Sequence, residues 1–189
     1  MLQKNHPLES AWEFWIHKPL SAAAGNGSDE DAYNSSLLKL QMFKTIEDFW
    51  SQLEHIVLPS TLGNIALTTP ENVKVKGLSL FRSDIGPKWE HEKNKGFKIV
   101  LKTNSSICVD DLWYEIIYAL VGETIPYSEF ISGLRFTFIV DKRKCLVSRL
   151  ELWSNIIDGQ LLKEIEEYIS KNLSYDPSQI TCVSYAHQK

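Results

Sequence analysis

The segments GLRFTFIVD (133–141) and CLVSRLELW (145–153) flank Lys142-Arg143-Lys144 and decide the fold class. Both are rich in β-branched, aliphatic and aromatic residues, the composition of strands. Three basic residues between them read as the tip of a hairpin. Outward from this pair, the same composition predicts strands at Trp12–His17, Lys76–Arg82, Phe97–Lys102 and Ile180–Tyr185. Helical spacing replaces it elsewhere. Thr45 opens one helix with Asp48 at capping-box distance, and Ile46, Trp50 and Leu53 follow at helical intervals. Asp110 opens a second, DDLWYEIIYALVG, closed by Gly122. A third runs from about Asp158 to Leu173, with Leu162, Ile165 and Ile169 inward. Strands joined by hairpins with helices arriving singly predict an α+β fold: an antiparallel sheet, helices on one face, and the other face free for a ligand.

The chain's 189 residues fit a single domain, 1–189. SAAAGNGSDED (21–31) reads as a flexible loop, and residues 58–77, with Pro59, Gly63, Pro70 and Gly77, as an inserted one. Net charge is -4, which argues against an extended phosphate-gripping groove but leaves room for a short anion held by local cations. Three cysteines at 108, 145 and 182 match no zinc spacing, and the five histidines show none either, so neither metal nor cofactor is expected. No segment reads as a membrane span or a secretory leader. There is no nucleophile motif or phosphate loop. Glu90 and Glu92, two apart in a charged loop, make a poor acid–base pair, so an enzyme is not expected.

Six tryptophans exceed what a core of this size needs. Trp89, in GPKWEHEKNKG (86–96), sits either as a plug at the sheet edge or as a stacking platform with Glu90 beside it. An N7-methylated guanine is a cationic ring that gains from aromatic faces, and its N1–H and N2–H suit one carboxylate. Trp153 and Arg149, four apart on one strand, share a face, as core and surface charge or as aromatic and cation toward one ligand. Ile46 and Trp50 share one helix face, and Tyr114 and Tyr118 another. These residues are either core or an aromatic groove for a partner, with Glu115 placed to pair with it.

Taken in order, His6-Pro7-Leu8, Trp12-Glu13-Phe14-Trp15, TIEDFW (45–50), LSLFRSDIGPKWEHEKNKG (78–96) and LWYEIIYALVGE (112–123) resemble the eukaryotic translation initiation factor 4E family across nearly the whole chain. The resemblance implies a curved antiparallel sheet with three helices on its convex face and a slot on its concave side for the 7-methylguanosine 5′ cap of mRNA. N7-methyl-GTP would be the minimal ligand. Trp89 would be one sandwich aromatic, Glu90 the acceptor at the guanine edge, and Trp153 a neighbour of the N7-methyl group. Tyr33, by its spacing before EDFW, would be the second sandwich aromatic, where the family usually has Trp; Tyr is the weaker cation–π face. Arg149 takes the place of one phosphate-binding basic residue. For the other, counting from Trp153 gives Lys144, with Lys142 and Arg143 as substitutes, whereas counting from Gly133 gives Ile139. The convex face would take the scaffold initiation factor 4G and 4E-binding proteins through a helical Tyr-Leu-type motif, at His6, Pro7, Ile46, Trp50, Tyr114, Glu115 and Tyr118. Tyr at 114 and 118 departs from the family's usual Leu and leaves a second role open, a cap-binding repressor or a paralogue with altered scaffold binding. A cytoplasmic or nuclear location follows from the resemblance. The mobile segment with which other members touch nucleotides beyond the cap is expected to be missing after Lys189.

Overall fold

The computed structural model describes residues 5–19, 29–64, 75–103, 108–140, 142, 144–172 and 180–186. Seven strands form one curved antiparallel sheet: β1 (Pro7–His17), β2 (Leu37–Thr45), β3 (Gly77–Arg82), β4 (Phe97–Thr103), β5 (Ile131–Val140), β6 (Leu146–Ser154) and β7 (Ile180–Ala186). Their order is β2-β1-β3-β5-β6-β4-β7. The expected hairpin is β5–β6, in register from Gly133↔Trp153 to Val140↔Leu146. Gly133 is required here, because a Cβ would lie 2.4 Å from the Leu80 carbonyl oxygen and 2.5 Å from Cγ of Phe81.

Alternation along each strand sorts side chains onto two faces. One face carries Trp12, Phe14, Leu78, Leu80, Leu134, Phe136, Leu150 and Leu152, all buried in the main core. Against them pack the apolar sides of α4 (Val109–Val121) and α5 (Gly159–Asn172), including Leu112, Trp113, Ile116, Ile165 and Ile169. The other face carries the intervening residues: Glu13, Trp15 and His17 on β1, Ser79 and Phe81 on β3, Arg135 on β5, Arg149, Glu151 and Trp153 on β6, and Lys98 on β4. Its apolar part is a small separate cluster of Phe81, Ile85 and Trp153 with Trp15.

The capping reading at Thr45 holds: its hydroxyl oxygen accepts the Asp48 N–H at 3.1 Å, opening α2 (Ile46–Leu53). Gly122 follows α4 as expected and donates its N–H to Tyr118 at 2.9 Å, but the left-handed residue is Glu123, with φ 50°.

Two expectations need correction. The sheet has a strand at Leu37–Thr45 that the sequence did not suggest. Register shifts between Pro7 and Trp12 and between Glu13 and Trp15 break its pairing with β1, so its burial never settles into strict alternation. The three expected helices are present as α2, α4 and α5, and the described residues hold two more. The extra pair is short, α1 (Asp29–Ser35) and α3 (Pro59–Asn64). They take the end of the loop expected at 21–31 and the start of the one expected at 58–77, whose last residue, Gly77, begins β3. Residues 20–28 and 65–74 lie outside the described set.

Candidate functional site

Tyr33 and Trp89 come from distant segments, and one hydrogen bond ties Tyr33 to the loop that bears Trp89. The Tyr33 hydroxyl on α1 donates to the Pro87 carbonyl at 2.8 Å, two residues before Trp89. The loop that bears Trp89 is held from within. The side-chain amide of buried Asn94 donates to the carbonyls of Gly86 (3.0 Å) and Lys88 (2.6 Å). Gly86 has φ 67°, and a Cβ there would meet the Trp15 ring at 3.1 Å. A 3₁₀ turn at Glu92–Asn94 is capped by His91, whose Nδ1 accepts the Lys93 N–H at 3.2 Å. Lys93 is tied to Asp84 at 2.7 Å. On this braced loop Trp89 is 45% exposed, so it is not the plug at the sheet edge but an available aromatic face. Glu90 is half-buried beside it.

Burial pushes the Tyr33 phenol above its ordinary pKa. Arg135 pulls it down, while the carboxylates of Glu151 and Glu90 add to the rise, which places all three charges around this ring. The Arg135 guanidinium lies 6.0 Å from the ring centroid, within cation–π range.

Arg135 belongs to a charge cluster formed by strands β5, β6 and β4. Opposite Arg135 in the register stands Glu151. Glu151 Oε1 lies 2.6 Å from an Arg149 nitrogen and 3.7 Å from Lys98 Nζ, and its Oε2 lies 3.9 Å from Arg135. Trp153 donates its indole N–H to the same carboxylate at 3.2 Å. Trp153 itself is only 3% exposed and meets Phe81 edge-on at 5.4 Å. Beyond Arg135, His17 Nε2 and the Ser79 hydroxyl lie 2.5 Å apart in the buried floor. Burial first, and the nearby Arg135 second, lower the His17 pKa to about 3, so this imidazole is neutral at physiological pH.

The surface thus combines an exposed indole, a phenol, a carboxylate and three partly open cations, an arrangement for a flat ring carrying an anionic tail. Among the described residues no group of His, Cys, Asp and Glu could hold a metal ion, and no helix is long and apolar enough to cross a membrane.

The family model for eukaryotic initiation factor 4E matches residues 7–189. The chain belongs to the eukaryotic initiation factor 4E family. It is 30% identical over 159 residues to eukaryotic translation initiation factor isoform 4E of Nicotiana tabacum, an alignment covering 84% of this chain and 70% of that protein. With eukaryotic translation initiation factor 4E of Dictyostelium discoideum the identity is 29% over 184 residues, covering 92% of this chain but 65% of the relative, just under two thirds of its length. Among solved structures, schistosome eIF4E complexed with m7GpppG and 4E-BP superposes with a TM-score of 0.70 at 28% identity, covering 92% of this chain and 86% of that one.

In this initiation factor 4E family member the helical side of the sheet carries a second aromatic surface. Trp50 and Tyr118 are both exposed, with ring centroids 5.4 Å apart, and Tyr114 stacks on Tyr118 at 5.8 Å and 10°. Ile46 is exposed next to them, and its N–H donates to the His6 carbonyl at 2.9 Å. His6 in turn is bound to Glu47, N–H to Oε2 at 3.1 Å and Nδ1 to Oε1 at 2.6 Å, while Pro7 pairs with Thr45. The His6 contacts hold the Glu47 carboxyl down at about 2. Glu115 is half-buried on α4, one residue from Tyr114. All seven residues named from the family resemblance therefore lie on α2, on α4, or at Pro7 where β1 starts and His6 just before it.

The hairpin tip behaves differently. Lys142 and Lys144 are exposed, Lys144 with φ 63°, and Arg143 lies outside the described residues. Lys144 is five positions before Arg149, roughly 15 Å of extended chain. Lys102 is the cross-strand partner of Arg149, and Arg135 and Lys98 join Arg149 around Glu151; sequence reading missed all three. Their signal was parity: Gly133, Arg135 and Thr137 share a face opposite Trp153, Glu151 and Arg149.

Proposed function

We propose that this chain binds the 7-methylguanosine 5′ cap of mRNA. The methylated base lies between Tyr33 and Trp89, Glu90 accepts from its N1–H and N2–H edge, and Trp153 lines the floor of the slot. The observation that carries this is the Tyr33–Pro87 hydrogen bond, which fastens one aromatic to the loop bearing the other at 2.8 Å. A cationic purine between two aromatic faces gains cation–π attraction that unmethylated guanine lacks. The phosphates extend toward Arg149, with Lys144 and Lys142 farther out at the hairpin tip. That schistosome eIF4E was solved with m7GpppG supports the same ligand class here.

The opposite surface recruits a scaffold subunit of the initiation factor 4G type, or a 4E-binding protein, by taking an amphipathic helix across Trp50, Tyr118 and Tyr114. The solved relative that carries 4E-BP supports this. The chain acts as a soluble cytoplasmic initiation factor, by binding and not by catalysis. Retention on N7-methyl-GTP resin, with release by N7-methyl-GTP and far less by GTP, is the test. Equal release by GTP would refute the methyl-selective sandwich, and full retention of Trp89→Ala would refute the site.

A further inference from the structure

Glu151 occupies the place where a ligand's phosphate would look for cations. Arg149, Lys98 and Arg135 approach its two oxygens at 2.6, 3.7 and 3.9 Å, and the Trp153 N–H takes a further position at 3.2 Å. Exposure is layered: the three cationic side chains are 23–28% exposed, and the carboxylate beneath them is 5% exposed. Water reaches the cations while the anion that neutralises them stays covered. The Nε–H groups of Arg135 and Arg149 are buried with no hydrogen-bond partner, so neither guanidinium is saturated by Glu151. The other covered carboxylate of this face, Glu13, is engaged elsewhere, with Lys39 at 2.8 Å.

We propose that Glu151 is a built-in competitor for the phosphate-binding cations, drawing Arg149, Arg135 and Lys98 around its own carboxylate and thereby limiting how much affinity a ligand gains from its phosphates. The inference rests on the cap-binding reading of the same slot. The three cations that reach Glu151 and its one negative charge leave a net +2, with Lys102 opposite Arg149 adding to the positive side, and removing the negative charge raises the field on every entering phosphate. A unit charge several ångströms away in a partly wet site changes affinity by at least about threefold per ligand at an effective dielectric between protein and water. A methylated nucleoside without phosphates is itself cationic, so losing the Glu151 charge leaves its affinity unchanged or slightly lower, never higher. A merely structural carboxylate behaves otherwise: its loss loosens the floor and weakens all ligands alike.

The test is calorimetric titration of the wild type and Glu151→Gln with N7-methyl-GTP, N7-methylguanosine and inorganic tripolyphosphate. The glutamine keeps one oxygen acceptor for Arg149, removes the charge, and puts an NH2 donor where the second oxygen met Trp153 and Arg135. The expected result is tripolyphosphate tightened about threefold or more and N7-methyl-GTP tightened, with N7-methylguanosine not tightened. Adding Lys98→Met to that variant restores the local charge to +2 and returns the phosphate preference toward wild type. Uniform weakening, or no change for the phosphate-bearing ligands, overturns the proposal. If tripolyphosphate responds as expected while neither protein takes N7-methylguanosine or distinguishes N7-methyl-GTP from GTP, the competitor stands and the cap reading falls. If neither protein takes tripolyphosphate, the competitor falls. Should Glu151→Gln fail to fold, ¹⁵N side-chain spectra of the wild type decide: tripolyphosphate must shift the Nε–H signals of Arg149 and Arg135, and unmoved signals reject the proposal.

Discussion

Phe49 and Trp50 are neighbours on α2 with opposite fates, and substituting each by alanine separates folding from recruitment. Phe49 is 4% exposed and packs among Phe14 at 6.4 Å and Phe43 at 5.5 Å. Trp50 is 47% exposed and touches only the margin, Phe49 at 5.2 Å and Tyr118 at 5.4 Å. A Trp side chain offers about 200 Å² of surface, so about 100 Å² remains for a partner. At about 25 cal/mol per Å² that amounts to about 2.5 kcal/mol. Ordering costs of about 0.5–1.5 kcal/mol in the complex reduce it to about 1–2 kcal/mol. Trp50→Ala should therefore weaken binding of a helical Tyr-Leu-type peptide by about 5- to 30-fold, measured by calorimetry. Its melting temperature should fall by less than about 4 °C. Phe49→Ala leaves a cavity costing about 3–5 kcal/mol and should lower the melting point by roughly 10 °C. Peptide affinity of Trp50→Ala within about twofold of wild type, or a melting point as low as that of Phe49→Ala, would refute the assignment of this face to a partner.

Tyr33→Phe removes the hydroxyl that donates to Pro87 and should cost about 1 kcal/mol of N7-methyl-GTP affinity, read by tryptophan quenching. An unchanged affinity would show that the tether does not set the slot. His17 is held near 3 when folded against 6.5 for the free side chain, so the unfolded chain binds the extra proton. Stability is complete above about pH 6.5 and drains away as pH falls toward 3, and His17→Gln should flatten denaturant midpoints across that window. Arg82 donates to the carbonyls of Ile131 (2.9 Å) and Ser128 (2.8 Å), pairs with Glu123 at 3.1 Å, contacts the Ser10 hydroxyl and covers the Trp12 ring at 4.8 Å. Arg82→Met should cost about 1–3 kcal/mol in chemical unfolding, because the carbonyls of Ile131 and Ser128 lose their donor and half-buried Glu123 loses its cation. A loss below about 1 kcal/mol would contradict that.

How much was legible in the sequence varied with the range of the interactions. The β5–β6 hairpin, the Thr45 cap and the inward stripe of α5 are local patterns, and the fold realises them. Strand β2 was missed because its pairing with β1 slips register, and that irregularity belongs to two segments at once. Tyr33 was found only by spacing to a motif; nothing in its own surroundings announced a helix at 29–35 or a bond to a residue 54 positions away.

By itself, the sequence determined which faces of strands and helices are apolar, where helices begin, and that an indole and a carboxylate stand adjacent at 89 and 90, since these depend on neighbours a few residues apart. Only the tertiary structure decided that Arg135, Arg149, Lys98 and Glu151 form one cluster. The order β5-β6-β4 sets three strands side by side, and charges 53 residues apart in the chain become contacts across a few ångströms. Sequence spacing carries no record of which strand lies beside which, because that is set by packing of the whole sheet against its helices.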